Sequence, residues 1–165
     1  MTTMLAAMFG LSVQASALYL GVHPAQEAEL RSYARNPYYK YYCIAVSPGE
    51  IRGPAPIETL REASRQRPDP PPELVVALQK ISRRFVPYSA CEQEANVGLD
   101  IRHRATKAKP CLLVALGTVE FLSPDRVRFL VSTMSAHMAA AEALVEYKHT
   151  ANGWEQVSRT GLWVA

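Results

Sequence analysis

The chain from residue 111 to its C-terminus carries four consecutive strand-like segments, and this run limits the possible folds more than any other feature. Each segment is rich in β-branched and aromatic residues or alternates apolar with polar positions, which is typical of strands. Ser123-Pro124-Asp125 forms one turn, and Asn152-Gly153 a second, because asparagine and glycine tolerate positive φ at both central positions of a hairpin turn. The segments are CLLVALGTVEFLS, RVRFLVST, EALVEYKHT and WEQVSRTGLWVA.

Two segments near this run of strands need further argument: residues 132–147 and residues 98–105. Residues 132–147 contain alanine, methionine and glutamate, which favour helix. Their position between a strand and the Asn152-Gly153 turn favours a strand with a bulge near residues 139–141, and we predict a strand. GLDIRHRA, residues 98–105, is expected to pair with the strand that begins at Cys111 through the connection TKAKP.

The first half is predicted to be mainly helical, with one strand. Asn36-Pro37 ends the first helix, because the residue before a proline is pushed out of the α region. Tyr38–Val46 follows as an aromatic-rich strand, and Pro48-Gly49 closes it. Seven prolines between residues 48 and 72 form a surface excursion within one domain, since the flanking pieces are too small to fold alone. The predicted helices are PAQEAELRSYAR, a short IETLREASRQ, and PPPELVVALQKISRR.

The fold class that follows is α+β. We expect one domain over residues 18–165, with N-terminal helices packed on a curved antiparallel sheet. The element order is similar to that of cystatin-like and nuclear-transport-factor-like cones, which is an analogy of shape and implies no function.

Residues 1–17 contain no charged side chain and end in Ala15-Ser16-Ala17. An apolar stretch before an A-x-A sequence is typical of a secretory signal peptide. The segment lacks a basic start, so an amphipathic first helix remains the alternative. It is also shorter than the roughly 20 apolar residues that span a bilayer. We expect a secreted or periplasmic protein without a membrane span.

The chain has three cysteines, Cys43, Cys91 and Cys111, which allow one disulfide and one free thiol. The chain contains no C-x-x-C motif, so we predict no metal site and no cofactor. Cys111 begins the apolar run CLLVAL, where a cysteine is typically a buried thiol that packs as a small hydrophobe.

Several motifs together resemble a group of small exported bacterial proteins of unknown function. The motifs are Tyr42-Cys43, then Asp69-Pro70-Pro71-Pro72 before an apolar helix, then Val86-Pro87-Tyr88-Ser89-Ala90-Cys91. The resemblance continues through residues 113–129 to the ending NGWEQVSRTGLWVA and covers roughly residues 40–165. It implies a Cys43–Cys91 disulfide and implies no activity.

Candidate functional residues are few. His137, with Glu142 or Glu146 nearby, is a weak candidate for acid–base catalysis in a sheet concavity, although a lone histidine in an apolar strand is more often structural. Residues 102–109 hold the densest group of basic residues and are interpreted as a solvated loop, so no nucleic acid is expected as a partner. Nucleic-acid binding through this segment is the weaker alternative. The tyrosines of residues 38–42 are expected to pack on sheet and helix with their hydroxyls toward water.

These observations favour a non-enzymatic binding or interaction domain with an unknown protein or small-molecule ligand. The alternative is a small acid–base or hydrolytic enzyme that uses His137 and a nearby glutamate.

Overall fold

The computed structural model describes residues 21–94, 100–135 and 139–164, and within them the chain is α+β. Two short 3₁₀ turns, Tyr33–Arg35 and Tyr88–Ala90, join longer elements. The helices are α1 Pro24–Ser32, α2 Ile57–Ala63 and α3 Pro72–Gln79. The strands are β1 Tyr41–Val46, β2 Glu50–Arg52, β3 Phe85–Pro87, β4 Cys91–Gln93, β5 Ile101–His103, β6 Cys111–Leu116, β7 Val119–Ser123, β8 Arg126–Met134, β9 Ala140–Thr150 and β10 Gly153–Val164.

Eight of these strands form one twisted sheet in the order β10-β9-β8-β6-β1-β3, with β7 also on β8 and β2 on β7. The pairs from β6 to β10 are antiparallel, whereas β1 runs parallel to both β6 and β3. The prediction of a wholly antiparallel sheet is therefore wrong at the centre. The fully buried run Tyr42–Val46 fits this position, because parallel strands are usually covered on both faces.

The proline-rich excursion makes the parallel pairing possible. A parallel neighbour needs a long crossover connection, and the chain between β1 and β3 supplies it with β2, α2 and α3. The excursion is anchored to the sheet by Glu120, a buried carboxylate that accepts hydrogen bonds from Arg128 and from the backbone N–H of Ala55. The predicted surface excursion is thus also a structural crossover.

Residues 111–123 were expected to form one strand, and the structure divides them at Gly117-Thr118. β6 pairs with the second half of β8 and β7 with the first half. Two hydrogen bonds stabilise this break. The buried Gln26 of α1 donates from Nε2 to the Gly117 carbonyl at 2.8 Å. Thr118 N–H donates to Oγ of Ser64, the residue that follows α2, at 3.2 Å. α1 and α2 therefore dock at the same interruption, on opposite faces.

The main core lies between the sheet and the helices α1 and α3. His23 is the N-cap of α1. Its imidazole Nδ1 accepts a hydrogen bond from Ala25 N–H, and its own backbone N–H donates to Oε1 of Gln26. Pro24 suits the first helical position. Side chains that α1, α3 and the sheet bury together in this core include Leu30, Leu74, Leu78, Ile44, Phe85 and Phe129.

A second, smaller core lies on the opposite face. It surrounds the cysteines and is closed by β4 and β5, which form a separate antiparallel pair, and its buried residues include Cys43, Cys91, Ile101, Cys111 and Leu113. The expected pairing of residues 98–105 with the strand at Cys111 is therefore corrected: β5 pairs with β4. A strand as short as β5 can pair with several neighbours. The Cys43–Cys91 disulfide holds β4 on this face of the sheet, where β5 can pair with it.

Most local elements form where the sequence predicts them. The three predicted helices are present, with α3 ending at Gln79 rather than at the arginines beyond it. The strand prediction for residues 132–147 is confirmed for residues 132–134 in β8 and 140–147 in β9. These are two antiparallel strands rather than one bulged strand, and residues 136–138 lie outside the described residues. The hairpin at Asn152-Gly153 is confirmed, with the positive φ confined to Gly153 at 102°. No described helix has the length and apolarity needed to cross a membrane. The predicted signal peptide, residues 1–17, lies outside the described residues.

Candidate functional site

A cleft of about 240 Å³ lies between α2, the loop that follows it, and the sheet face opposite α1 and α3. We call it the α2 cleft. Its polar side chains come from α2 and residues 64–67 on one side and from β8 and β9 on the other. They are Arg61, Ser64, Arg65, Arg67, Ser132 and Glu142.

The position of α2 is set by one apolar and two polar contacts. Leu60 is fully buried against the sheet, and Thr118 bonds twice to the helix end: its N–H donates to Ser64 Oγ and its hydroxyl to the Ala63 carbonyl at 3.3 Å. Gly117 permits this close approach, because a Cβ at this position would lie 2.5 Å from Ser64 Oγ. The helix that carries Arg61 is therefore fixed over the sheet.

Glu142 forms the floor of the cleft. It lies on β9 opposite Ser132 of β8, and 8% of the residue is exposed. Oε1 of Glu142 accepts from both Nε and a terminal nitrogen of Arg61, each at 2.8 Å. The hydrogen bond to Glu142 raises the pKa of Arg61 above its ordinary value, so the guanidinium is a permanent cation at the floor.

Arg65 and Arg67 stand at the mouth of the cleft. Their loop is anchored to the sheet, because Ser47 Oγ donates to the Gln66 carbonyl at 3.2 Å and Val46 N–H donates to the Pro68 carbonyl at 3.2 Å. Both arginines are exposed. The mouth therefore carries two solvated cations on a backbone of defined position.

The two mouth arginines differ in their partners. Arg65 pairs with Glu62 at 2.6 Å, with both side chains well exposed, so this pair is weak. Arg67 forms no ion pair with any carboxylate among the described parts of the chain. Its guanidinium is the member of the cleft that is available to a ligand.

The charges of the cleft favour an anion. Three guanidinium groups and one carboxylate leave a net charge of +2 on the side chains that line it. Arginine binds carboxylate and phosphate oxygens through two parallel N–H donors, which makes it well suited to such groups. The volume lies below the usual range of about 300–1,000 Å³ for drug-sized ligands, so the cleft fits a small anion or the anionic end of a larger molecule.

Of the predicted catalytic residues, the structure describes Glu142 and Glu146, whereas His137 lies outside the described residues. Glu142 is at the floor of the α2 cleft, bound by Arg61, whereas Glu146 pairs with Arg126 of β8. Four residues along one strand place the two carboxylates on the same face about 13 Å apart. Each glutamate therefore has its own arginine, and they do not share a pocket.

The disulfide Cys43–Cys91 is present, as the resemblance implied. Cys111 is a buried free thiol whose Sγ donates to the Ala108 carbonyl at 3.3 Å. Burial raises the pKa of this thiol above its ordinary value. The Cys43–Cys91 bridge joins β1 of the main sheet to β4 of the small one.

The tyrosine-rich segment packs around an arginine that the sequence did not single out. Arg84 donates to the carbonyls of Ala34, Asn36 and Tyr39 at 2.9, 2.5 and 3.1 Å, and its guanidinium lies 5.1 Å from the centre of the Tyr42 ring. Tyr42 is buried, and its hydroxyl donates to the Asn36 carbonyl at 2.5 Å. The packing prediction is confirmed for Tyr42, whose hydroxyl bonds to backbone rather than to water.

The basic residues of the 102–109 segment are all paired with acidic side chains. Glu92 and Glu94 of the β4 region each accept from two or more of them, and the hydrogen bond from Lys107 is the main cause that lowers the pKa of Glu92. Their charge is therefore largely balanced within the molecule. The pairs are Arg102–Glu92, Arg102–Glu94, Arg104–Glu92, Lys107–Glu92, Lys109–Glu94 and Lys109–Asp100.

The sequence interpretation missed the α2 cleft. Arg61, Arg65 and Arg67 were assigned no role from the sequence. Their spacing of four and then two residues across a helix end was the available signal, but the same spacing is common on a solvated helix face. Glu142, which orders Arg61, is 81 residues away in the chain.

Comparison with known proteins identifies no relative. No family model, no curated protein and no solved structure matches the chain.

Proposed function

We propose that this chain is an exported bacterial binding domain, without catalytic activity, that holds a small anionic ligand in the α2 cleft. Carboxylates, phosphate and sulfate share the required chemistry, since each presents two or more acceptor oxygens to guanidinium donors.

The observation that carries the proposal is the set of three arginines at one cleft. Glu142 balances Arg61 and fixes its geometry, while Arg67 has no carboxylate partner among the residues that the structure describes. A positive charge without a partner, on an anchored loop and next to a second guanidinium, is an arrangement that an anion stabilises. The ordered loop reduces the entropy cost of binding.

The environment of the glutamates supports binding over acid–base catalysis. A general base needs a carboxylate oxygen that is free to reach the proton it removes. The carboxylates of Glu142 and Glu146 instead form ion pairs with Arg61 and Arg126. His137 lies outside the described residues.

Export is supported by the disulfide. Disulfides persist in oxidising compartments such as the periplasm and the extracellular space. The resemblance of the chain to small exported bacterial proteins, together with the signal-like residues 1–17, leads to the same proposal of a secreted or periplasmic location.

The test is titration of the oxidised protein with inorganic phosphate, sulfate and succinate, followed by calorimetry and by backbone amide NMR shifts. We expect at least one anion to shift the amides of residues 61–67. Arg67→Gln should weaken that binding about tenfold, as expected for the loss of one charge-assisted hydrogen bond. Arg83→Gln is the matched control, because Arg83 is also an exposed arginine but lies beyond α3, away from the cleft.

Two results would overturn the proposal. One is no shift at residues 61–67 with any of the three anions at millimolar concentration and low ionic strength. The other is equal weakening by Arg67→Gln and Arg83→Gln, which would indicate general charge attraction rather than a site.

A further inference from the structure

The three cysteine sulfurs lie together in the second core, and this arrangement goes beyond the anion-binding function. The Sγ atoms of Cys43, Cys91 and Cys111 all lie within 4.8 Å of one another. All three residues are buried: Cys43 and Cys111 have no exposed surface and Cys91 has 7%. The free thiol therefore lies beside the disulfide.

Strand register explains why the sulfurs converge. β1 and β6 are parallel, with Tyr41 opposite Cys111 and Cys43 opposite Leu113. Cys43 and Cys111 are thus offset by two positions, which places both side chains on the same face of the sheet. The 3₁₀ turn after β3 reverses the chain and brings Cys91 over that face.

We propose that reduction of the Cys43–Cys91 disulfide converts this cluster into a binding site for one Cu(I) ion, held by Cys43, Cys91 and Cys111. The site is a second function that depends on the redox state and is separate from the α2 cleft.

Formation of the copper site requires two steps, reduction of the disulfide and binding of Cu(I). In the first, a reductant supplies two electrons, the S–S bond breaks, and each sulfur takes a proton. A protein dithiol is itself oxidised to a disulfide, and a phosphine in vitro becomes a phosphine oxide with oxygen from water. In the second step Cu(I) binds without change of oxidation state, and the coordinating thiols release their protons.

The donor set selects the metal. Thiolate and thioether sulfur are soft ligands that favour Cu(I) and Zn²⁺ over harder cations. Structural Zn²⁺ takes four ligands, whereas the cluster in the described residues contains three cysteines and no histidine or carboxylate. At metal–sulfur distances of about 2.3 Å, three coplanar sulfurs around one ion lie about 4 Å apart. Cys111 already lies within 4.8 Å of the other two sulfurs, and Cys43 and Cys91 can reach that spacing once the bond between them is broken.

The surroundings fit a soft and easily oxidised ion. Val86, Ile101 and Leu113 form an apolar wall around the sulfurs, which limits access of water. Met134, which pairs with Leu113 across the sheet, packs against the same cluster and brings a thioether sulfur to its rim. The Cα atoms of Cys43 and Cys91 are 6.2 Å apart, so their sulfurs can separate by side-chain rotation without displacement of the strands.

The experiment is an anaerobic titration of Cu(I) into phosphine-reduced protein, in competition with the chromogenic chelator bicinchoninate. We expect the reduced wild type to remove one equivalent of Cu(I) from the chelator. Reduced Cys111→Ser should bind at least about 100-fold more weakly. Oxidised wild type should leave the chelator loaded. X-ray absorption of the loaded protein should show three sulfur neighbours around copper.

Circular dichroism of both reduced proteins, before and after copper is added, distinguishes a folded site from a collection of thiols. Equal Cu(I) affinity of reduced wild type and reduced Cys111→Ser would overturn the proposal. A reduced wild type that unfolds and stays unfolded with copper would overturn it as well, as would an absorption spectrum with two sulfur neighbours.

Discussion

Tyr147 of β9 donates a hydrogen bond of 2.6 Å from its hydroxyl to Oε2 of Glu29 in α1, across 118 residues of chain. The second carboxylate oxygen of Glu29 accepts from Arg159 of β10 at 2.7 Å. Glu29 is 1% exposed, so its charge is compensated entirely by these neighbours. Burial, together with the hydrogen bond to Glu29, raises the pKa of Tyr147 above its ordinary value, so the phenol is a hydrogen-bond donor at neutral pH. This contact docks α1 on the sheet.

Glu29→Gln should lower the free energy of unfolding by about 2 kcal/mol. Removal of one partner from a buried ion pair typically costs about 3–5 kcal/mol, and the half-exposed Arg159 reduces that penalty. The control is Glu27→Gln, whose pair with Arg31 is an exposed helix-surface pair worth about 0.3–0.5 kcal/mol. Urea denaturation measures both variants, and equal destabilisation would contradict the docking role of Glu29.

Gly117→Ala should lower the free energy of unfolding by about 1–3 kcal/mol, because the added Cβ would overlap with Ser64 and approach Leu130 at 3.3 Å. We also expect weaker anion binding, since displacement of Ser64 moves the end of α2. Gly161→Ala is the matched control. An added Cβ at Gly161 meets nothing within 4 Å, so its stability should be unchanged or slightly higher. Thermal denaturation of the two alanine variants, compared with the wild type, decides the point.

In the chain-entropy model, the disulfide contributes about 4 kcal/mol to stability through the 48-residue separation that it closes. Cys43→Ser and Cys91→Ser should each lose this amount, and the double variant should be no worse, because both remove the same bond. Cys111→Ser should lose far less in the oxidised protein. Chemical denaturation with and without reductant tests this, and additive losses in the double variant would contradict it.

His23 should make stability depend on pH in mildly acidic solution. Burial lowers the pKa of its imidazole from 6.5 to about 4 in the folded protein, where the ring packs against Phe121 and Trp154. The unfolded chain therefore takes up the proton first. The contribution of His23 is complete above pH 6.5, falls as the pH drops from 6.5 toward 4, and levels off below 4.

The comparison variant is His23→Asn, which keeps an N-cap acceptor but cannot titrate. Its stability loss between pH 7 and pH 5 should be smaller than that of the wild type, measured by urea denaturation at both pH values. NMR titration of the imidazole should give the folded pKa directly. An ordinary folded pKa would contradict the predicted dependence.

The local elements of this fold could be predicted from the sequence, because their signals are carried by adjacent residues. Pro24, Pro72 and the apolar spacing around Leu74 and Leu78 define helices. Asn152-Gly153 defines a hairpin, since the residues that form the turn are the ones that specify it. The packing of Tyr42 was predicted together with that of the other tyrosines of residues 38–42.

The parallel centre of the sheet was decided by tertiary structure. Every strand can hydrogen-bond on either side and in either direction, so the local pattern of β1 does not select β6 and β3 as its partners. For the same reason β5 was assigned to the wrong partner. Residue patterns alone left the cysteine pairing open, and it was a resemblance to other proteins that favoured Cys43–Cys91.

Both proposed sites also depend on tertiary structure. Arg61 and Glu142 are far apart in sequence, and only the docking of α2 at the Gly117-Thr118 break brings them together. Cys111 was correctly predicted as a buried thiol from its apolar neighbours. Its proximity to the disulfide follows from the register of β1 against β6. Sequence determines which side chains are buried, and strand pairing determines which of them meet, because that pairing is chosen by the packing of the whole chain.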